Sequence, residues 1–408
     1  YVFVNLASVL YLGGLAIETI MGIDMIYAII GLALFAAAYS LYGGLSAVAW
    51  TDVIQVVFLV LGGLITTYLA LNTVSGGEGM LAGFSKVMEA APEKFHMILE
   101  ETNDNYVNLP GIWVLVGGLW VANLYYWGFN QYIIQRTLAA KSLKESQKGI
   151  LLAAFLKLII PFIVVVPGIA AYVMVNDPSI MANLGEVGML NIPSAEQADK
   201  AYPWLLQFLP TGLKGVAFAA LAAAVVSSLA SMINSTSTIF TMDIYKQYFN
   251  KNAGDKKTVN MGRISGAVAL IIAAIVAPLL GNIDQAFQFI QEYTGIVSPG
   301  ILAVFMLGLF WKRTTNNAAI WGAILSIPIA LVLKFLPIAV LEPWMHQMGI
   351  STLLTMIITI LLSHIQNKGA DDVKAIVITK DLFKTTPLFN IGSFIVCILL
   401  AVLYALFW

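Results

Sequence analysis

The chain has 408 residues, 60% of them apolar and 11% charged, with a mean hydropathy of +0.86. That composition describes a polytopic membrane protein rather than a soluble domain. A net charge of −1 suggests no nucleic-acid partner. The single cysteine, Cys397, rules out an internal disulfide, and the scattered His96, His346 and His364 argue against a histidine metal centre.

About eleven apolar stretches are long enough to span, each near the ~20 residues that a bilayer core requires. They cover roughly 3–22, 26–46, 53–74, 111–135, 149–175, 213–242, 260–280, 285–311, 317–337, 349–366 and 387–408. The sequence opens on Tyr1 inside an apolar run, so further N-terminal spans are expected before it. Arg136, Lys141, Lys144 and Lys148 crowd one loop, Lys246, Lys251, Lys256, Lys257 and Arg263 another, and Lys312 and Arg313 a third. All three fall on one side of the alternation, which the positive-inside rule assigns to the cytoplasm and which puts the C-terminus outside. Loops 75–110 and 176–212 are then extracellular, the first with a short surface helix near Met80–Ala90, and 367–386 is a cytoplasmic linker. The whole reads as a single transmembrane domain.

In chain order, Asp52 of WTDVIQ stands at the start of the third span, either as a helix N-cap or as an attractor for a cation. The fourth span holds Asn123, Tyr126, Trp127 and Asn130 at i, i+3, i+4 and i+7, on one face of an α-helix. A carboxamide beside aromatic rings suits a sugar, with amides for hydroxyls and a flat ring for the C–H face; the other reading is an interfacial aromatic belt. Lys157 lies about eight residues into the fifth span, where a charge is costly, and either contacts a ligand or pairs structurally. Pro161 and Pro167 follow it and predict a kink with freed carbonyls.

The sixth span carries SSLASMINSTSTIFTMDIY from Ser227. Ser227, Ser228 and the Ala224 carbonyl one turn earlier are neutral hard oxygens that could hold Na⁺; the alternative is that each hydroxyl bonds its own i−4 carbonyl. In the eighth span Phe287, Gln288 and Gln291 precede Gly295, Pro299 and Gly300, which are expected to interrupt the helix. Gln291 is a second amide for a polyhydroxy ligand.

Several long runs resemble the sodium/solute symporter family, in its sodium/glucose cotransporter branch: YSLYGGLSAVAWTDVIQ (39–55), YYWGFNQYIIQR (125–136), the Ser227 run, and FQFIQ to SPGILAVFMLGLFWKR (287–313). The resemblance implies an all-α core of two inverted five-helix repeats (LeuT-like) with flanking helices, in a bacterial plasma membrane. It implies Na⁺-coupled import of a hexose, galactose or glucose. It gives Asn123, Lys157 and Gln291 as sugar hydrogen-bonders, with Trp127 beside them, Tyr126 as the stacking ring and inner gate, and Phe287 as part of the outer gate. It gives Ala224, Ser227 and Ser228 as Na⁺ ligands and Asp52 as an aid to Na⁺ exit. Rivals are a Na⁺ symporter of an amino acid, a vitamin or iodide, and a sensor or channel of similar build. A membrane enzyme has no support, for paired catalytic carboxylates, HExxH and GxSxG are all missing from the sequence.

Overall fold

Helix α1 (Val2–Met21) opens the chain. Its polar side chains are neutralised locally: the Ser8 and Thr19 hydroxyls donate to the carbonyls of Val4 and Leu15, four residues back (2.8 and 2.7 Å). Asp24 then caps α2 (Met25–Val74), its Oδ1 accepting from the Ile26 N–H at 2.9 Å. The computed structural model describes residues 2–188, 191–282 and 285–408 and contains no strand among them. Ile283 and Asp284, at the head of the eighth predicted span, lie outside the described residues.

Helix α2 has 50 residues between its bounds. A straight helix of that length would be ~75 Å long, more than twice the bilayer core. It is not straight. The Tyr39 hydroxyl meets the Thr51 hydroxyl, twelve residues on, which a straight helix would hold ~18 Å away. Ser40 donates to the Ala230 carbonyl (3.1 Å) and Asp52 accepts from Ser227, so both halves reach the same turn of one neighbour. The two segments Met25–Ser40 and Val48–Val74 therefore both lie against that neighbour. The span expected at 53–74 is matched by Val48–Val74, and the one expected at 26–46 by the shorter apolar helix Met25–Ser40.

Nine helices among the described residues are long and apolar enough to cross a membrane, with Met25–Ser40 as a shorter apolar helix beside them. The remaining difference from eleven is the fourth span. It is not one α-helix but Trp113–Val116, Gly118–Leu124, a π-helical turn Tyr125–Phe129, and Gln131–Leu138 after a break at Asn130. The other long helices are α4 (Leu143–Ile160), α5 (Val166–Asn176), α6 (Thr211–Ile239), α7 (Asp255–Val276), α8 (Ala286–Phe310), α9 (Asn316–Phe335), α10 (Trp344–Asn367) and α11 (Pro387–Leu406). The surface helix expected near Met80–Ala90 is α3, with those bounds. Thr315 and Thr386 cap α9 and α11, and Lys368 ends α10 in the left-handed region (φ 49°).

Contacts group the chain into two units, Tyr1–Phe95 with Ala154–Phe287, and His96–Ala153 with Gln288–Trp408. In the first, α6 packs against α1, both halves of α2, and α7. A second cluster gathers Leu71, Val87, Ala170, Met174 and Trp204, all buried, where the end of α2 meets α3 and α5. Gly83 makes that approach possible, since a Cβ there would stand 1.9 Å from the Leu71 carbonyl oxygen. In the second unit α9 packs on α10, and the fourth span packs on α10. Gln147 clamps the entry to α11 from both sides, donating to the Lys384 carbonyl and accepting from the Thr386 N–H, each at 2.9 Å.

Candidate functional site

The first unit holds Asp52, Lys157, Ala224, Ser227, Ser228 and Phe287; the second holds Asn123, Tyr126, Trp127 and Gln291. Within the first, the sequence motif and the geometry converge on α6. Ser231, Thr236 and Thr238 donate to the carbonyls of Ser227, Met232 and Asn234, four residues back, at 2.8–2.9 Å. For those hydroxyls the local reading is the right one. Ser227 behaves differently: it is 7% exposed and its hydroxyl donates to the Asp52 carboxylate on α2. Asp52 lies inside the helical run rather than at a cap, which removes the N-cap reading. Ser228, one residue on and therefore ~100° around the helix, is exposed. Ala224 precedes it by one turn and is half-buried. A carboxylate and a serine hydroxyl, both hard oxygen groups, thus meet between α2 and α6.

Asn234 Nδ2, Ser235 Oγ and Thr241 Oγ1 are buried further along the same stretch without a hydrogen-bond partner, and from Phe240 to Phe249 the helix widens to π geometry. Such π segments recur at functional sites because they leave backbone groups out of register.

Lys157 sits on α4 with an exposed side chain, one turn before the predicted kink. The kink is a π turn, Pro161–Val165. In that register the Phe162 carbonyl would take the N–H of residue 167, which is proline and has none. The Thr67 hydroxyl donates to it instead (2.8 Å), while also meeting the Gly63 carbonyl (2.9 Å). Phe287, near the start of α8, is 68% exposed.

In the second unit, the expected single face of Asn123, Tyr126, Trp127 and Asn130 does not form. The π turn between them changes the angular step per residue, and Asn130 is extended (ψ 115°). Asn123 Nδ2 donates to the Leu119 carbonyl (2.9 Å). Tyr126 accepts from the Tyr132 hydroxyl (2.8 Å) and packs edge-on against Trp127, ring centroids 5.2 Å apart. Asn130 is 4% exposed and its Nδ2 has no partner, while Trp127 is exposed. Phe129 stacks on Phe305 of α8 at 5.1 Å. No hydrogen bond among the described residues joins Asn123 to Gln291.

Helix α8 is not interrupted. It continues from Ala286 to Phe310 with Pro299 inside it, because proline removes only one ladder bond when neighbouring helices support the rest. Gly295 and Gly300 are close-approach points instead: a Cβ would come within 3.1 Å of Met348 Cε and 1.9 Å of Ser326 Oγ respectively. Gln291 is half-buried, and its backbone carbonyl accepts from the Thr294 hydroxyl (3.0 Å). Sequence reasoning missed the Glu292–Lys334 ion pair at 2.9 Å. A charge in each of two consecutive spans was the available signal for that pair.

Among the described residues, nine helices long and apolar enough to cross a membrane, with hydroxyls and amides buried among them, describe a polytopic membrane protein. Comparison with known proteins gives the class, a transporter. Residues 1–326 match the model of the "Sodium:solute symporter family". The sodium/glucose cotransporter of Vibrio parahaemolyticus is 64% identical over all 408 residues, which cover 75% of its length. The human sodium/myo-inositol cotransporter 2 is 33% identical over 85% of this chain and 53% of its own. The chain thus spans about three quarters of the first relative and about half of the second. A solved Na⁺-coupled sialic acid symporter, in its substrate-bound outward-open state, superposes with a TM-score of 0.71 over 89% of this chain and 72% of its own, at 23% identity, and has the same fold. The chain belongs to the sodium:solute symporter family, and its all-α fold is that of the LeuT-like Na⁺ symporters.

Proposed function

We propose that this protein imports a hexose, galactose or glucose, by coupling it to the inward fall of Na⁺. The observation that carries the reading is the Ser227 hydroxyl on the Asp52 carboxylate, a cation-type donor set inside apolar helices. Na⁺ is proposed to bind at Ser227, Ser228 and the Ala224 carbonyl, and to leave past Asp52. The 64% identical relative is named a sodium/glucose cotransporter, which favours a sugar as the partner solute. Asn123 and Gln291 supply neutral amides for hydroxyls, Lys157 a further donor, and Tyr126 and Trp127 flat rings for the sugar's apolar face. Phe287 and Tyr126 are the proposed outer and inner gating rings. A neutral solute suits these uncharged groups, whereas an anionic one would call for arginine or a free helix N-terminus.

The driving force is sufficient. A tenfold Na⁺ gradient supplies ~1.4 kcal/mol, and 100 mV adds ~2.3 kcal/mol per charge. At one Na⁺ per sugar, those two together support roughly 500-fold accumulation. The three basic loops on one side favour a C-terminus outside a bacterial plasma membrane. The test is uptake of labelled galactose and glucose into proteoliposomes of the full-length protein, with and without a Na⁺ gradient. Accumulation above the external concentration only with Na⁺ supports the assignment. Equilibration without Na⁺ would mark a passive pathway, and competition by amino acids or iodide rather than hexoses would move the substrate class.

A further inference from the structure

Four of the ion pairs among the described residues have side chains 45–77% exposed and contribute little. Glu292–Lys334 differs. Its side chains are only 33% and 22% exposed, its N–O distance is 2.9 Å, and the same ammonium lies 4.6 Å from the centre of the Tyr293 ring. Lys334 also stands in the last turn of α9, where the helix dipole favours a cation. Glu292 follows Gln291 directly on α8.

The contacts form a ladder. Antiparallel α8 and α9 touch at Gly300 and Ser326, where a Cβ on the glycine would stand 1.9 Å from the serine hydroxyl. Eight residues along each helix, ~12 Å away, they meet again at Glu292 and Lys334. Between the two rungs each helix carries a proline, Pro299 and Pro328. Each proline leaves its i−4 carbonyl, of Gly295 and Ile324, without a ladder N–H, so the segments beyond bend and rotate more easily than intact helix. The ion pair is the tie that closes the ladder past both weak points. A third restraint acts one turn earlier on α8, where Gln288 donates to Asn108 Oδ1 at 2.9 Å.

We propose that Lys334, through Glu292 and the Tyr293 ring, is a positioning residue that fixes the rotation of the outer half of α8 and so aims the Gln291 amide at the sugar. The inference rests on Gln291 as a sugar ligand. Lys334→Met keeps the length and the apolar stem but removes the charge, and Glu292→Gln removes the other partner. Each is expected to raise the half-saturation for labelled galactose about tenfold in proteoliposomes of the full chain, while the Na⁺ half-saturation stays within about twofold. Lys334→Arg, which keeps the cation, and the exchanged pair Lys334→Glu with Glu292→Lys are expected to recover at least half of that shift. A protein that was merely destabilised would lose maximal rate without this split between sugar and Na⁺. Should Lys334→Met fail to fold, Glu292→Gln alone decides. The inference is overturned if both single variants keep the wild-type galactose half-saturation, or if sugar and Na⁺ half-saturations move together. Gln291→Ala separates the levels. If it weakens or abolishes galactose uptake while Lys334→Met and Glu292→Gln change nothing, only the positioning role falls. If it too changes nothing, the sugar-site reading falls with it.

Discussion

The Ser227 hydroxyl donates to the Asp52 carboxylate, joining α6 to the second half of α2 across 175 residues of sequence. Neighbouring hydroxyls on α6 close on their own helix, and Ser227 does not. In the proposed site, Na⁺ would be the third party to this pair.

Ser228 tests this without disturbing the observed bond. Ser228→Ala removes one hydroxyl from the proposed Na⁺ shell and leaves Ser227–Asp52 intact. Hydrogen bonds to charged groups are worth roughly 1.5–3 kcal/mol, so the Na⁺ half-saturation of uptake should rise by ten- to a hundredfold. Unchanged half-saturation, measured at saturating sugar, would remove Ser228 from the shell.

Gln291→Ala is expected to abolish hexose uptake in a protein that still elutes as a folded species. The amide is half-buried on α8 and supplies both a donor and an acceptor to a hydroxyl ligand. Normal galactose affinity in the variant would show that Gln291 is not a ligand.

Hydropathy made the spans legible, because apolar length alone selects a helix that crosses a bilayer. The residue types of the proposed ion site were legible too, but the pairing of Ser227 with Asp52 was not: it joins residues 175 apart, and no local pattern encodes that. The fourth span misled because a 3.6-residue period was applied across Tyr125–Phe129, where the backbone is π. Pro299 was read as a break because proline weakens any helix, yet tight packing at Gly295 and Gly300 supports the ladder on either side. Lys334 escaped notice because it resembles a charge near the end of a span, and Glu292, seven residues into its span, because its partner lies on the next helix.

Thr67 provides a prediction about the scaffold alone. Its hydroxyl is the partner of the Phe162 carbonyl that Pro167 cannot serve. Thr67→Val preserves shape and deletes the donor, leaving a carbonyl unpaired at a cost of about 1–3 kcal/mol. Thermal unfolding in detergent should shift to lower temperature for Thr67→Val and far less for Thr67→Ser, which retains the hydroxyl. Equal shifts for the two would mean that packing, not the hydrogen bond, is what Thr67 contributes.

Asp199, in the loop between α5 and α6, supplies a pH-dependent prediction. Its Oδ2 accepts from the Ala286 N–H at the start of α8 (2.8 Å). Burial raises its carboxyl pKa, and the Ala286 bond offsets this only in part. A folded-state pKa above the unfolded value means the native form binds the proton more tightly. The stability this group contributes is therefore complete below the unfolded carboxylate pKa, about 4, and is lost as pH rises through the folded value. Asp199→Asn removes the titration while keeping an oxygen able to accept from Ala286. The variant should unfold at a higher temperature than wild type near neutral pH, and that advantage should shrink toward about pH 4. Unfolding temperatures measured across this range decide the matter: a gap that stays constant with pH would show that the burial of Asp199 does not work through its charge.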